Sequence, residues 1–356
     1  MNAKLPPHVH KGRGATLNPA NRYADTARED IDDGWGNLDA PLPAPATTLS
    51  IDTSRTVIAY NDSPDVGFDR SINPYRGCEH GCAYCFARPT HAWLGLSPGL
   101  DFETKLFYKP DAPAQLKREL AARGYHCAPI AVGINTDAYQ PSERKLGLTR
   151  AILEVLAEAR HPFSIVTKSA LIERDIDLIA PAAARRQASV CVSLTTLDGA
   201  LARRLEPRAT APARRLETIR ALSEAGIPVT VLVAPLIPVL TDAELETLLD
   251  AARGSGACAA GYILLRLPHE LKAMFRDWLH THAPLQAGHV MNRLRDCRGG
   301  KDYDARFGAR MRGTGVYAEL LRKRFRLAHA RLGYTDSPDL DCSQFTPPGE
   351  GQLRLF

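Results

Sequence analysis

The chain has 356 residues, 44% hydrophobic and 24% charged, a balance that suits a globular core and excludes a fully disordered chain. No apolar run near the first residue is able to act as a signal peptide, and none approaches the roughly 18 consecutive apolar residues of a membrane helix, so a cytoplasmic location, reduced thiols and no membrane partner are expected. The net charge of +5 leans towards an anionic partner without specifying one, and eight cysteines over this length exclude a disulfide framework.

Residues 1–50 are rich in Pro, Ala, Asn, Asp and Arg and have no sustained apolar period, which predicts an irregular arm. Residues 56–60 read as a first strand, and 71–76 as a second that delivers the chain into a cysteine loop. That loop places Cys78, Cys82 and Cys85 at C-x3-C-x2-C spacing, with Gly77 and Gly81 freeing the backbone to curl around one centre. Three thiolates without a near fourth ligand fit an iron–sulfur cluster with one iron left open. A zinc site closed by His80 or Cys127 stays open as an alternative. Thioredoxin-type chemistry leaves Cys78 without a role, and c-type haem attachment requires a His where this chain has Phe86.

Beyond the loop, apolar runs alternate with helical periods. Helices are predicted over residues 112–123, 149–159, 173–183, 214–225 and 242–252, and strands over 129–134, 162–167, 188–195, 227–234 and 261–267. With the strand before the cysteines this makes six strand–helix units, and crossovers of that length imply a parallel sheet. The alternation fits a doubly wound open sheet as well as a partial barrel, and in both the ligands sit at the C-terminal ends of the strands. Those ends are polar: Asn135, Thr136 and Asp137 after one strand, Thr167, Lys168 and Ser169 after the next, and Ser193 and Thr195 on one face of the strand that follows. The alternative is that these residues cap turns and satisfy one another. Arg203, Arg204 and Glu206 belong to a rim helix, as an ion-pair face or as ligand contacts.

The segment 293–312 gathers Arg293, Arg295, Arg298, Lys301, Arg306, Arg310 and Arg312 among glycines, a composition suited to phosphate contact. The helix expected over 317–332 adds Arg322, Lys323 and Arg326, as a solvated basic face or a nucleic-acid contact. The remaining tail loses periodicity and ends in Gln352, Leu353, Arg354, Leu355 and Phe356, an apolar terminus of the kind that docks on a partner.

At Cys78, Cys82, Tyr84 and Cys85 the chain resembles the radical S-adenosylmethionine (SAM) superfamily, whose signature is C-x3-C-x-aromatic-C. More narrowly, residues 71–100, 133–137, 167–169 and 203–207 resemble an uncharacterised bacterial branch related to spore photoproduct lyase, a likeness covering residues 50–333. The resemblance implies an α/β fold with an incomplete (β/α)6 parallel barrel over residues 51–270, behind the irregular arm 1–50. A basic helical extension over 271–333 and a flexible tail over 334–356 complete the expected organisation.

It further implies a [4Fe-4S] cluster on Cys78, Cys82 and Cys85 whose open iron is chelated by SAM. An electron from a reductant such as flavodoxin or ferredoxin then cleaves SAM to a 5′-deoxyadenosyl radical that takes hydrogen from the substrate. By the same likeness Tyr84 packs beside the cluster, and Asn135, Thr136 and Asp137 hold the methionyl amino end in place of the commoner Gly-Gly-Glu. Lys168 meets the SAM carboxylate, Ser193 and Thr195 line the same end or the ribose, and Arg203 is a rim contact. Cys191 shares its face with Ser193, either as a hydrogen-atom donor to a product radical or as a packed core cysteine. The related lyase implies DNA as substrate, probed through segment 293–312 and helix 317–332. RNA or protein modification and a non-catalytic metal-binding module are the alternatives. The terminal Gln352, Leu353, Leu355 and Phe356 resemble the peptide that docks on the bacterial DNA sliding clamp.

Overall fold

A computed structural model describes residues 10–23 and 45–349 of the chain. The strands are β1 (Thr48–Ile51), β2 (Ile58–Tyr60), β3 (Arg70–Ile72), β4 (Tyr75–Arg76), β5 (Lys105–Tyr108), β6 (Ile130–Val132), β7 (Phe163–Thr167), β8 (Ala188–Ser193), β9 (Val229–Leu236) and β10 (Ala259–Leu264). One sheet has the order β10-β9-β8-β7-β6-β3-β2. Every pair from β3 to β10 is parallel, and only the β2–β3 pair is antiparallel. Among the described residues β10 and β2 are unpaired on their outer sides, so six parallel strands form an incomplete α/β barrel with one hairpin strand added at its edge. A second small sheet has the order β1-β5-β4.

The parallel strands are joined through helices Ala112–Leu120, Leu148–Glu158, Ile176–Ala184, Pro212–Glu224 and Leu245–Gly254, the long crossovers that parallel neighbours require. The main core lies between these helices and the outer face of the sheet. Val190 and Val192 of β8 meet Ile179, Ile219 and Leu222 there. The residues between them, Ser189 and Cys191, are only half-buried and take the opposite face, the barrel interior.

Four expectations are corrected. The strand expected over 71–76 breaks at Pro74, which lacks the N–H a ladder needs, so its halves join different sheets as β3 and β4. The arm expected to be irregular contains β1, which pairs in parallel with β5. Residues near its start are fixed as well: the amides of Gly14 and Ala15 donate to Glu103 at 3.0 and 2.8 Å, and Arg22 pairs with Glu270.

The tail is likewise held through residue 346. It runs as a belt across the N-terminal ends of the strands, with Thr335 N on Cys258 O before β10, the Ser337 hydroxyl on Thr230 in β9, Asp341 N on Arg186 O before β8, and Thr346 N on Ala159 O before β7. Phe345 packs on Tyr125 and His161 with ring centroids 5.6 and 5.2 Å away. The terminal peptide with Gln352, Leu353, Leu355 and Phe356 lies outside the described residues.

The basic segment 293–312 is not a free cationic loop. Arg298 is buried and donates to the carbonyls of Leu265 and Ala309, whereas Arg310 and Gly308 N bind Asp65 in the β2–β3 turn. The segment therefore spans from β10 to the hairpin at the other edge and closes the side of the barrel that the strands leave open. Arg293 pairs with Asp296, Arg295 with Asp302 and Arg306 with Asp304, so these cations are spent on internal carboxylates. The helix Val316–Arg331 docks through Ala318, Leu321, Phe325 and Ala328, and leaves Lys323 and Arg326 exposed. No helix among the described residues is long and apolar enough to cross a membrane.

The belt carries a pH prediction. His161, 1% exposed, donates from Nδ1 to Pro162 O at 2.9 Å and accepts the Tyr125 hydroxyl at Nε2 at 2.7 Å, which fixes the neutral tautomer. Burial lowers its pKa from 6.5 to about 4. A lowered histidine pKa means that the unfolded chain takes the proton first, so stability is full above pH 6.5 and falls as pH drops towards 4. The loss is of order 3 kcal/mol over that window. Urea unfolding of wild type and His161→Gln across pH 4–7 is expected to show a steeper loss in wild type, because His91 and His282 also titrate low in both, and equal slopes refute the assignment.

Candidate functional site

The cysteine loop lies at the C-terminal mouth of the barrel, and its shape is set from below by a fully buried ion pair. Arg88 and Glu103 are both 0% exposed and meet at 2.5 Å. Arg88 Nε donates to Cys82 O at 2.9 Å, one Nη to Gly81 O at 3.0 Å and the other to Gly99 O at 3.0 Å, so one planar fork clamps three backbone carbonyls. Gly77 and Gly81 have φ of 79° and 65°. A Cβ at Gly81 would stand 2.6 Å from Glu103 Oε2, and one at Gly77 2.8 Å from Phe102 O, so both turns need glycine. Cys78 N on Phe102 O and Ala83 N on Leu205 O fix the two ends of the turn at 2.9 and 2.8 Å.

Cys78, Cys82 and Cys85 are packed together beneath the mouth, with Cys85 touching the apolar groups around both partners. Burial pushes all three thiols up, Cys82 to about 12, so they stay protonated at neutral pH until a cationic centre displaces the protons. Among the described residues no three His, Cys, Asp or Glu side chains converge on one ion. The thiolates of a polynuclear cluster bind different irons and need not meet at one point, so the three thiols of this loop fit such a cluster. The fourth zinc ligands considered from sequence are also engaged elsewhere. His80 Nδ1 pairs with Asp137 at 3.3 Å, and Cys127 lies beside Cys342 under the C-terminal belt.

The strand ends bring the other candidates to this mouth. Lys168, after β7, extends Nζ to Ser193 Oγ at 2.8 Å and lies 5.9 Å from the Tyr84 ring centroid. Thr195 Oγ1 is 3.1 Å from the Tyr84 hydroxyl and donates to Glu206 at 2.8 Å. Cys191 faces the same interior, with its thiol pushed up to about 12 by burial and partly drawn back by Lys168, which leaves a neutral S–H.

Asp137 is engaged inside the protein: it accepts Thr167 Oγ1 and Lys168 N at 2.7 Å each and pairs with His80. Burial opposes its charge, yet His80 and these donors hold its carboxyl at about 2. Thr136 Oγ1 is on Tyr75 O at 2.8 Å, so this strand end ties the cysteine loop to β6 and β7, and only Asn135 is exposed. Arg203 is exposed on helix Gly199–Leu205, and the loop contacts of that region come from Leu205 O and Glu206 instead.

Glu206, for which an ion-pair face and a ligand contact are the two expectations, is buried. It accepts the Tyr84 hydroxyl and the Arg215 guanidinium, which hold its carboxyl at about 2 against the burial that would raise it. Arg215 continues to Ser193 O at 3.0 Å and Thr210 O at 2.7 Å. Sequence reading missed Arg88, Glu103 and Arg215. The only local sign of the first was its position just after the third cysteine.

A family profile described as the radical SAM superfamily matches residues 72–252. An uncharacterised protein of Mycobacterium tuberculosis is 40% identical over 219 residues, 61% of this chain and 64% of that relative. The chain thus spans less than two thirds of the length of such relatives. An uncharacterised protein of Methanocaldococcus jannaschii is 31% identical over 175 residues, 49% of this chain and 62% of that one. Among solved structures, a spore photoproduct lyase variant aligns over 80% of both chains with a TM-score of 0.57 at 17% identity. The same enzyme complexed with dinucleoside spore photoproduct aligns over 80% of both with a TM-score of 0.54 at 16% identity. These likenesses are of fold.

Proposed function

The chain belongs to the radical SAM superfamily, and from that premise we propose that it is a DNA-acting enzyme that removes hydrogen from a nucleotide lesion. The superfamily's cofactors are a [4Fe-4S] cluster and SAM, and when bound they supply, on reduction, a carbon-centred radical able to abstract hydrogen. Cys78, Cys82 and Cys85 would hold the cluster. Lys168 offers the cation for a carboxylate, and Ser193, already bonded to it, offers a hydroxyl beside that cation. Asp137, His80 and Glu206 act one step back: they fix the loop and Tyr84 so that the thiols and Lys168 do not drift. The inner faces of β7 and β8 carry the half-buried residues Ser164, Val166, Ser189 and Cys191, which bound ligands would cover from water.

The observation that carries the reading is the placement of three buried thiols beside the Lys168–Ser193 pair at the mouth of a parallel partial barrel. The DNA assignment is supported by the fold shared with spore photoproduct lyase over 80% of both chains. The basic segment adds no support, since Arg293, Arg295, Arg306 and Arg310 are paired with carboxylates and Arg298 with carbonyls. With reduced enzyme and SAM kept from air, ultraviolet-irradiated DNA is expected to raise 5′-deoxyadenosine formation and to lose lesions. If RNA or a peptide does so and DNA does not, the substrate class is wrong while the cofactor assignment stands.

A further inference from the structure

Arg266 at the mouth has neither a carboxylate nor a carbonyl as hydrogen-bond partner among the described residues. Arg266 follows Leu264, the last residue of β10, and its guanidinium lies over the ring of Phe86, 5.0 Å from the centroid. Phe86 comes directly after the third cluster cysteine and remains 39% exposed. Arg266 Nε is buried without a hydrogen-bond partner among the described residues, and the one bond of its fork is a 3.5 Å contact from Nη1 to the Met311 sulfur, a poor acceptor. The loop arginines around it differ. Arg88 has Glu103, Arg215 has Glu206, and Arg310 has Asp65, whose second oxygen already takes Gly308 N. Arg298, also near this edge, is spent on backbone carbonyls, and Arg312 lies over the rings of Tyr262 and Phe325.

A buried guanidinium donor left without an acceptor is costly, of order 1–3 kcal/mol, and an arginine stacked on an aromatic face presents its edge in a fixed plane suited to a bidentate anion. An exposed ring beside it offers a stacking face for a planar group. We propose that Arg266 and Phe86 form the substrate seat of this enzyme, Arg266 binding a phosphate ester oxygen and Phe86 the adjoining nucleobase. This rests on the DNA reading for the identity of the substrate, although the anion seat itself does not. The seat lies where the closing segment 298–312 meets the end of β10, and Phe86 places it directly beside Cys85 in the chain.

The test measures equilibrium binding to the reconstituted holoenzyme of a short phosphodiester oligonucleotide, its uncharged methylphosphonate counterpart and inorganic pyrophosphate. Wild type, Arg266→Gln and Arg266→Lys are compared at several salt concentrations, with iron content and thermal unfolding confirming that each variant is folded and loaded. Arg266→Gln is expected to weaken the phosphodiester roughly tenfold or more and to lower its log–log salt slope by about one, with little change for the methylphosphonate. Arg266→Lys should keep the salt slope and lose part of the affinity. Pyrophosphate bound by wild type and not by Arg266→Gln, with no oligonucleotide binding to either, keeps the anion seat and rejects DNA. Phosphodiester and pyrophosphate binding that do not distinguish wild type from Arg266→Gln overturn the proposal.

Discussion

Cys82→Ala is expected to purify folded, without a brown iron–sulfur chromophore, and to cleave no SAM. The side chain is small and its removal costs about 1 kcal/mol of packing. The loop stays in place because it is held through the Cys82 carbonyl, to which Arg88 donates, and through Gly81 O and Ala83 N, none of which involves the thiol. What disappears is one of the three proposed iron ligands, while His80 is paired with Asp137 and Cys127 lies beside Cys342 under the belt. Iron and sulfide analysis with circular dichroism separates the two effects. Full iron occupancy together with wild-type SAM cleavage would show that Cys82 is not a ligand.

Arg88→Met is expected to lower folding stability by about 3–5 kcal/mol, the usual cost of leaving one member of a buried ion pair uncompensated. Glu103 would keep its charge at 0% exposure with only the Gly14 and Ala15 amides as donors, and the carbonyls of Gly81, Cys82 and Gly99 would lose theirs. Cluster occupancy should fall as well, since the turn carrying Cys82 loses its clamp. Adding Glu103→Gln removes the stranded charge yet keeps an acceptor for the Gly14 and Ala15 amides, and so should return part of the loss. Urea unfolding of the single and double variants measures this. A single variant within about 1 kcal/mol of wild type would mean the pair does not hold the loop.

The sequence made the cysteine loop legible because its ligands are neighbours along the chain, and the parallel sheet legible because apolar periods repeat. The polar strand ends carrying Asp137, Lys168 and Ser193 were readable for the same reason, since each follows a recognisable strand. The supports were hidden because their partners are far apart in sequence. Glu206 looks like any helix-end carboxylate until Tyr84 and Arg215 close on it.

Composition points to an irregular arm and tail, yet residues 14 and 15 are tied to the Glu103 carboxylate, and residues 335–346 are fixed largely by backbone hydrogen bonds, which any side chains permit. Thr335, Asp341 and Thr346 donate main-chain amides to the strand bottoms, and no residue type announces that. The basic run 293–312 misled for the opposite reason. Its charge is real, but Asp296, Asp302, Asp304 and Asp65 neutralise much of it locally.

The central claim is that three thiols at the barrel mouth carry a cluster with an iron open to SAM. Anaerobic reconstitution of the purified chain with iron and sulfide, followed by reduction and quantitation of 5′-deoxyadenosine, tests it most directly. About four irons and four sulfides per chain and SAM-dependent 5′-deoxyadenosine are predicted. One tightly held zinc per chain, with no SAM cleavage after reduction, would contradict it.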